Sequence, residues 1–148
     1  MTHHLCIQAL GTGENPNHRS HWLFLIYTPT DDFGDIYQVL PIDLERLWYQ
    51  YDLREATTIK TPQAVGMCTI AVLDAKTRLE VIRVIQNEPA PRDGKRRCQD
   101  WTVDVMISLE VEELVQPGTA EKWSQRVGMT ARELARSCGE DWVEFRPL

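Results

Sequence analysis

Between His21 and Thr28 the chain reads His-Trp-Leu-Phe-Leu-Ile-Tyr-Thr, aromatic and branched without a polar interruption, and then breaks at Pro29-Thr30-Asp31-Asp32-Phe33-Gly34. Neither face of such a run tolerates water, so apolar material has to cover both; the pattern predicts a strand buried on both faces, followed by a turn. Asp35 to Ile42 is a second plausible strand, and the segments 21–28 and 35–42 would form an antiparallel hairpin. Pro41 suits the end of that strand or an edge position. Upstream, Leu5 to Leu10 is a short apolar run ended by Gly11-Thr12-Gly13, which fits a strand running into a loop.

The middle of the chain is less decided. In residues 43–60, Leu44, Leu47, Trp48 and Tyr51 fall at helical spacing, while the Tyr, Thr and Ile content equally suits irregular structure. Thr61-Pro62-Gln63 reads as a helix start, with apolar residues at 65, 69/70 and 72/73. Arg78 to Gln86 repeats the spacing through Leu79, Ile82 and Val84/Ile85, so one or two helices are expected, with a strand open as an alternative for 79–85. Asn87 to Arg97 is rich in Pro, Gly and charge and predicts a break. From Cys98 to Leu114, Trp101, Val105 and Leu109 trace an apolar stripe, widened by Val103, Met106 and Ile107, which predicts a central, largely buried helix ended by Pro117-Gly118. Thr119 to Cys138 is a final amphipathic segment with a capping box at Thr130 and Glu133, and the tail closes on Trp142-Val143-Glu144-Phe145. The expected fold class is therefore α+β: a small antiparallel sheet packed on a central helix beginning at Cys98, in a single domain over residues 1–148.

Composition excludes several functions. The formal net charge of -6 argues against a nucleic-acid partner, whose phosphates reward basic surfaces. No apolar run approaches the roughly 18 residues of a membrane span, and Met1-Thr2-His3-His4 carries no secretory signal, so a cytoplasmic chain is expected. Cys6, Cys68, Cys98 and Cys138 are widely spread with no CxxC pair, which predicts reduced thiols, most of them small buried hydrophobes. No metal and no cofactor are expected. His3, His4 and Cys6 are the one dense ligand set, and they sit at a terminus expected to fray.

Two places carry the residue types of nucleophilic chemistry. His21 opens a buried strand directly after a polar loop, and Cys98 opens a buried helix directly after another. A thiol at a helix amino terminus feels the positive end of the backbone dipole, and nearby arginines also favour thiolate, so such a group can ionise well below the roughly 8.5 of a free thiol. Histidine is the usual base for it. Trp48, Tyr49 and Tyr51 could line a pocket or simply pack. Lys95-Arg96-Arg97 could meet an anionic substrate or remain a solvated loop.

The His21-to-Tyr27 strand and the run Arg97-Cys98-Gln99-Asp100-Trp101 resemble the circularly permuted papain-like proteins, in which a strand opening with His-aromatic precedes a helix opening with Cys. That group includes the lecithin retinol acyltransferase family and the PPPDE peptidases, relatives of the NlpC-type cell-wall hydrolases. The chain is also similar to small fungal proteins whose halves read His-Trp and Asn-Cys-Gln-Asp-Trp. It departs from the family at Arg97, where Asn is common, and at Asp100, where acyltransferase members carry His, which weakens a lipid-acyltransferase assignment. No second histidine follows on the next strand.

The resemblance implies Cys98 as nucleophile, His21 as general base and then acid, and a third polar group to fix the imidazole tautomer. If residue 28 pairs with 35 or 36, His21 lies opposite Ile42 or Asp43, making Asp43 the candidate orienter and Gln38 the runner-up. The Cys98 backbone amide is the natural oxyanion donor, with Gln8 as a side-chain candidate. Trp22, Arg97 and Trp101 are the remaining candidates for contact with substrate, although Trp101 equally suits a core position under the helix.

The expected activity is a cysteine-dependent hydrolase or acyltransferase acting on an amide, ester or thioester of a small-molecule or peptide-like substrate. The alternatives are an isomerase or cyclase of specialised metabolism using the same pocket, and a non-catalytic binding protein. A homodimer through the C-terminal helix and aromatic tail is compatible with the pattern, though nothing in the spacing requires one.

Overall fold

The computed structural model describes residues 2–148. Six antiparallel strands form one open sheet in the order β4-β3-β2-β1-β5-β6, comprising β1 (His3–Leu10), β2 (His21–Tyr27), β3 (Phe33–Asp43), β4 (Trp48–Thr58), β5 (Ala64–Leu73) and β6 (Trp142–Glu144). Four helices follow β5 in the chain: α1 (Ala75–Asn87), α2 (Cys98–Val111), α3 (Thr119–Arg126) and α4 (Ala131–Cys138). The molecule is α+β, with a sheet larger than the small one expected.

β2 behaves as its composition demands. Trp22 to Ile26 are all within 2% of complete burial, and alternate residues serve two apolar clusters. Trp22, Phe24 and Ile26 face the helices, where the main core draws on β1 to β5 and on every helix. Leu23 and Leu25 face the other way, into a smaller cluster with Cys6, Ile36, Ile59 and Met67. α2 packs against β2 and α3, and Trp101 meets Phe24 edge-on at 5.9 Å.

Four expectations need correction. Residues 48–58 are strand β4, neither the helix nor the irregular structure weighed for 43–60, because the chain folds back on β3 through a tight turn in which Leu47 adopts φ 55°. Residues 64–73 are strand β5 rather than the first of two helices; the run is apolar enough to fit either period, and pairing with β1 decides it. The amphipathic segment 119–138 is two helices, α3 and α4, the second capped by Thr130 and Glu133 as expected. His3 and His4 do not fray: both lie in β1, paired with β2 and β5.

The aromatic tail adds β6 to the sheet, opposite Gly66 to Cys68. Gly66 is required there, since a Cβ at that position would collide with the Trp142 indole. Among the described residues no helix is long and apolar enough to cross a membrane.

Candidate active site

α2 begins at Cys98 because the chain before it is held in a fixed loop. Asp93 Oδ1 accepts from the Lys95 and Arg96 backbone N–H groups, each at 2.9 Å. The Arg96 guanidinium bridges Asp93 at 3.0 Å and Asp104 at 2.6 Å. Arg97 is the extended N-cap residue, and its N–H donates to Asp100 Oδ2 at 2.8 Å. Asp100 thus caps the helix, which is why that position holds a short carboxylate.

Gln99, completely buried, ties this helix start to β2. Its Nε2 donates to the Ser20 carbonyl at 2.9 Å, and its Oε1 accepts from the Gly128 N–H at 2.8 Å. Ser20 immediately precedes His21, and Gln99 immediately follows Cys98, so one amide ties together the two element starts that carry them.

His21 stands at the mouth of β2 and lines grooves on both sides of the sheet's end. On one side lie Cys98, Tyr49 and the apolar wall of Leu40, Pro41, Leu44 and Leu47, enclosing about 530 Å³. On the other lie Gln8, Leu23 and Gln38. The ring shares the groove with Cys98 and is bonded at Nε2 by Gln38 Oε1, 2.7 Å away. The Gln38 amide nitrogen donates to Asp52 Oδ2 at 2.9 Å, which turns the amide oxygen toward the ring. Nε2 therefore carries the ring proton, and Nδ1 is left as the acceptor. Burial works against a charged ring here, but neighbouring Cys98, followed by the Gln38 hydrogen bond, outweighs it and holds His21 above its ordinary value.

The candidate residues separate accordingly. Cys98, His21 and Gln38 come together, with Arg97 on the rim beside Arg19 and His18. Asp43 does not join them. β2 and β3 pair Phe24 with Tyr37, Leu25 with Ile36 and Ile26 with Asp35, a register two to three residues shorter than the one expected, and its continuation sets His21 level with Leu40. Asp43 instead closes the β3–β4 turn, accepting from Glu45 N and Arg46 N, each at 3.1 Å. Gln8 spends its Nε2 on the Ile59 carbonyl at 2.7 Å and faces the other groove, so it is no oxyanion donor to Cys98. Trp22 and Trp101 are fully buried in the core, against Trp123 and Phe24, and neither lines the Cys98 groove. Of the basic cluster, Arg96 is engaged with two carboxylates and only Arg97 reaches the rim.

One residue of this site escaped the sequence reading of the 43–60 segment. Asp52 lies directly opposite Gln38 across the β3–β4 ladder, and treating the segment as a strand paired to β3 would have exposed it. Of the three aromatic residues that could line a pocket, Tyr49 lines the groove beside Cys98 and Trp48 and Tyr51 do not. The other thiols pack: Cys6, Cys68 and Cys138 are buried, and burial pushes Cys6 up to about 11.

A model of a family of unknown function, DUF6540, matches residues 8–116, a span holding β2, β3, β4 and the whole of α2. No curated protein and no solved structure matches the chain.

Proposed function

The chain belongs to the DUF6540 family, and from the geometry of its groove we propose that it is a cysteine-dependent enzyme transferring or hydrolysing an acyl group held as an amide, ester or thioester. The observation that carries this reading is the placing of Cys98 and His21 together in a groove of about 530 Å³, with His21 hydrogen-bonded to Gln38 and Gln38 to Asp52. Each member has one task. His21 Nδ1 takes the thiol proton and Cys98 Sγ attacks the acyl carbon. The proton then passes to the leaving nitrogen, oxygen or sulfur as the bond to it breaks, giving a thioester on Cys98. Water or an acceptor nucleophile, deprotonated by the same ring, releases the acyl group.

Gln38 holds the ring in the tautomer this sequence of steps needs, and Asp52 holds Gln38. The absence of a second histidine therefore does not weigh against activity, since an amide fills the orienting position. The order of a histidine strand before a cysteine helix, with an amide on the neighbouring strand, supports a permuted papain-like arrangement. The substrate is small or peptide-like, with its acyl part against Leu40, Leu44 and Leu47 and with Arg97 and Arg19 at the rim.

The test is alkylation of Cys98 by iodoacetamide, followed by mass spectrometry, in the parent chain and in His21→Ala. At about pH 7, Cys98 of the parent should react at least about tenfold faster than free cysteine, and His21→Ala should remove that advantage. Equal, ordinary rates in both proteins would sink the catalytic reading and leave a binding protein.

A further inference from the structure

Tyr49 combines three properties rarely found together. It is 6% exposed; it lines the groove that holds Cys98; and among the described residues its hydroxyl makes no hydrogen bond. Its backbone is held firmly by the loop that leads into α2, with its N–H donating to Pro91 O at 2.9 Å and its carbonyl accepting from Arg92 Nε at 3.1 Å. The ring belongs to the main core, which fixes the direction of the phenol. Neighbouring Tyr51, by contrast, has a fully buried hydroxyl without a partner and does not line this groove.

The Tyr49 oxygen is not one of the fully buried polar atoms left without a partner, so solvent reaches it, and a ligand acceptor in the groove can take the place of water. The acceptor an acyl substrate brings next to a nucleophilic sulfur is its carbonyl oxygen. Burial pushes the Tyr49 phenol up, and the charge on Cys98 pushes it the same way, against Arg97. The hydroxyl therefore keeps its proton and acts as a donor. Gln8, the other side-chain candidate for this task, is spent on Ile59.

We propose that Tyr49 is a catalytic residue, donating its hydroxyl proton in a hydrogen bond to the substrate carbonyl oxygen and, with the Cys98 backbone N–H, to the oxyanion formed when Sγ attacks. The inference rests on Cys98 being the nucleophile. The sulfur–carbon bond forms as the carbonyl π pair moves onto oxygen; Tyr49 shares its proton without losing it. On collapse the pair returns, and the leaving group departs with the proton held by His21.

Two reactions of the same sulfur test this. Alkylation by iodoacetamide displaces iodide at a saturated carbon and develops no oxyanion, whereas acylation by p-nitrophenyl acetate does. Tyr49→Phe should alkylate at the parent rate but acylate about 10²–10³-fold more slowly, the loss found when one oxyanion donor is removed. Tyr51→Phe should change neither rate. Acylation of Tyr49→Phe at the parent rate overturns the proposal, and so does a parallel loss in both reactions, which would mark a packing role. An ordinary alkylation rate for Cys98 in the parent chain would instead remove the nucleophile itself, so the two failures are told apart.

Discussion

His21 illustrates how a buried ring can bind its proton more tightly than a free one. Desolvation alone would drive its proton off, and the opposing attraction comes from Cys98 first and Gln38 second. Since the folded ring binds its proton more tightly than the unfolded one, the pair contributes stability that is fully present below about pH 6.5 and is lost as pH rises through the higher folded value. In the proposed mechanism the ring must be neutral to take the thiol proton, so the acylation rate with p-nitrophenyl acetate should rise with pH through a midpoint above about 6.5. Gln38→Leu removes the acceptor on Nε2, so that midpoint should move down. A profile unmoved by that substitution would mean that Gln38 does not hold the ring.

At the scale of elements, caps and pairings settle what periodicity leaves open. α4 is only 8 residues long, too short to be stable by itself, and its reciprocal Thr130–Glu133 cap satisfies two amide donors at its start. Thr130→Ala should cost about 1 kcal/mol in denaturant unfolding while leaving Cys98 alkylation at the parent rate, since the cap lies away from the groove. β4 and β5 show the opposite situation, in which no local signal suffices. Ala64 to Leu73 satisfies a helical and an extended pattern at once, and β4 is an edge strand with much of its length exposed. Only the partners, β3 for one and β1 for the other, choose the extended form.

Across the whole molecule, sheet and helices are joined at the reactive end by Gln99. Its amide connects the start of β2, the start of α2 and the turn between α3 and α4. Gln99→Leu keeps the volume but leaves the Ser20 carbonyl and the Gly128 N–H unpaired, so the chain should lose about 2–4 kcal/mol of stability. Alkylation of Cys98 should slow with it, because the element starts that carry Cys98 and His21 are no longer tied together. Unchanged alkylation in a folded Gln99→Leu protein would show that packing alone keeps the two side chains together. Gly66 has a related part at the far edge, where it admits the Trp142 indole and so lets β6 close on β5.

What the sequence determined by itself was whatever depends on near neighbours in the chain. The buried β2 follows from an uninterrupted apolar run, α2 from a stripe after a Pro- and Gly-rich break, and the α4 cap from four adjacent residues. His21 and Cys98 were legible for the same reason, each being the first residue of a recognisable element. The rest of the site depends on strand register, which is fixed by contacts between residues far apart in sequence. A shift of two or three positions in the β2–β3 pairing took Asp43 out of the site and brought Gln38 to the ring. Asp52 and Tyr49 entered only because 48–58 is a strand beside β3. Pairing energy is collected across the sheet rather than along the chain, so the tertiary structure alone decided which side chains surround Cys98.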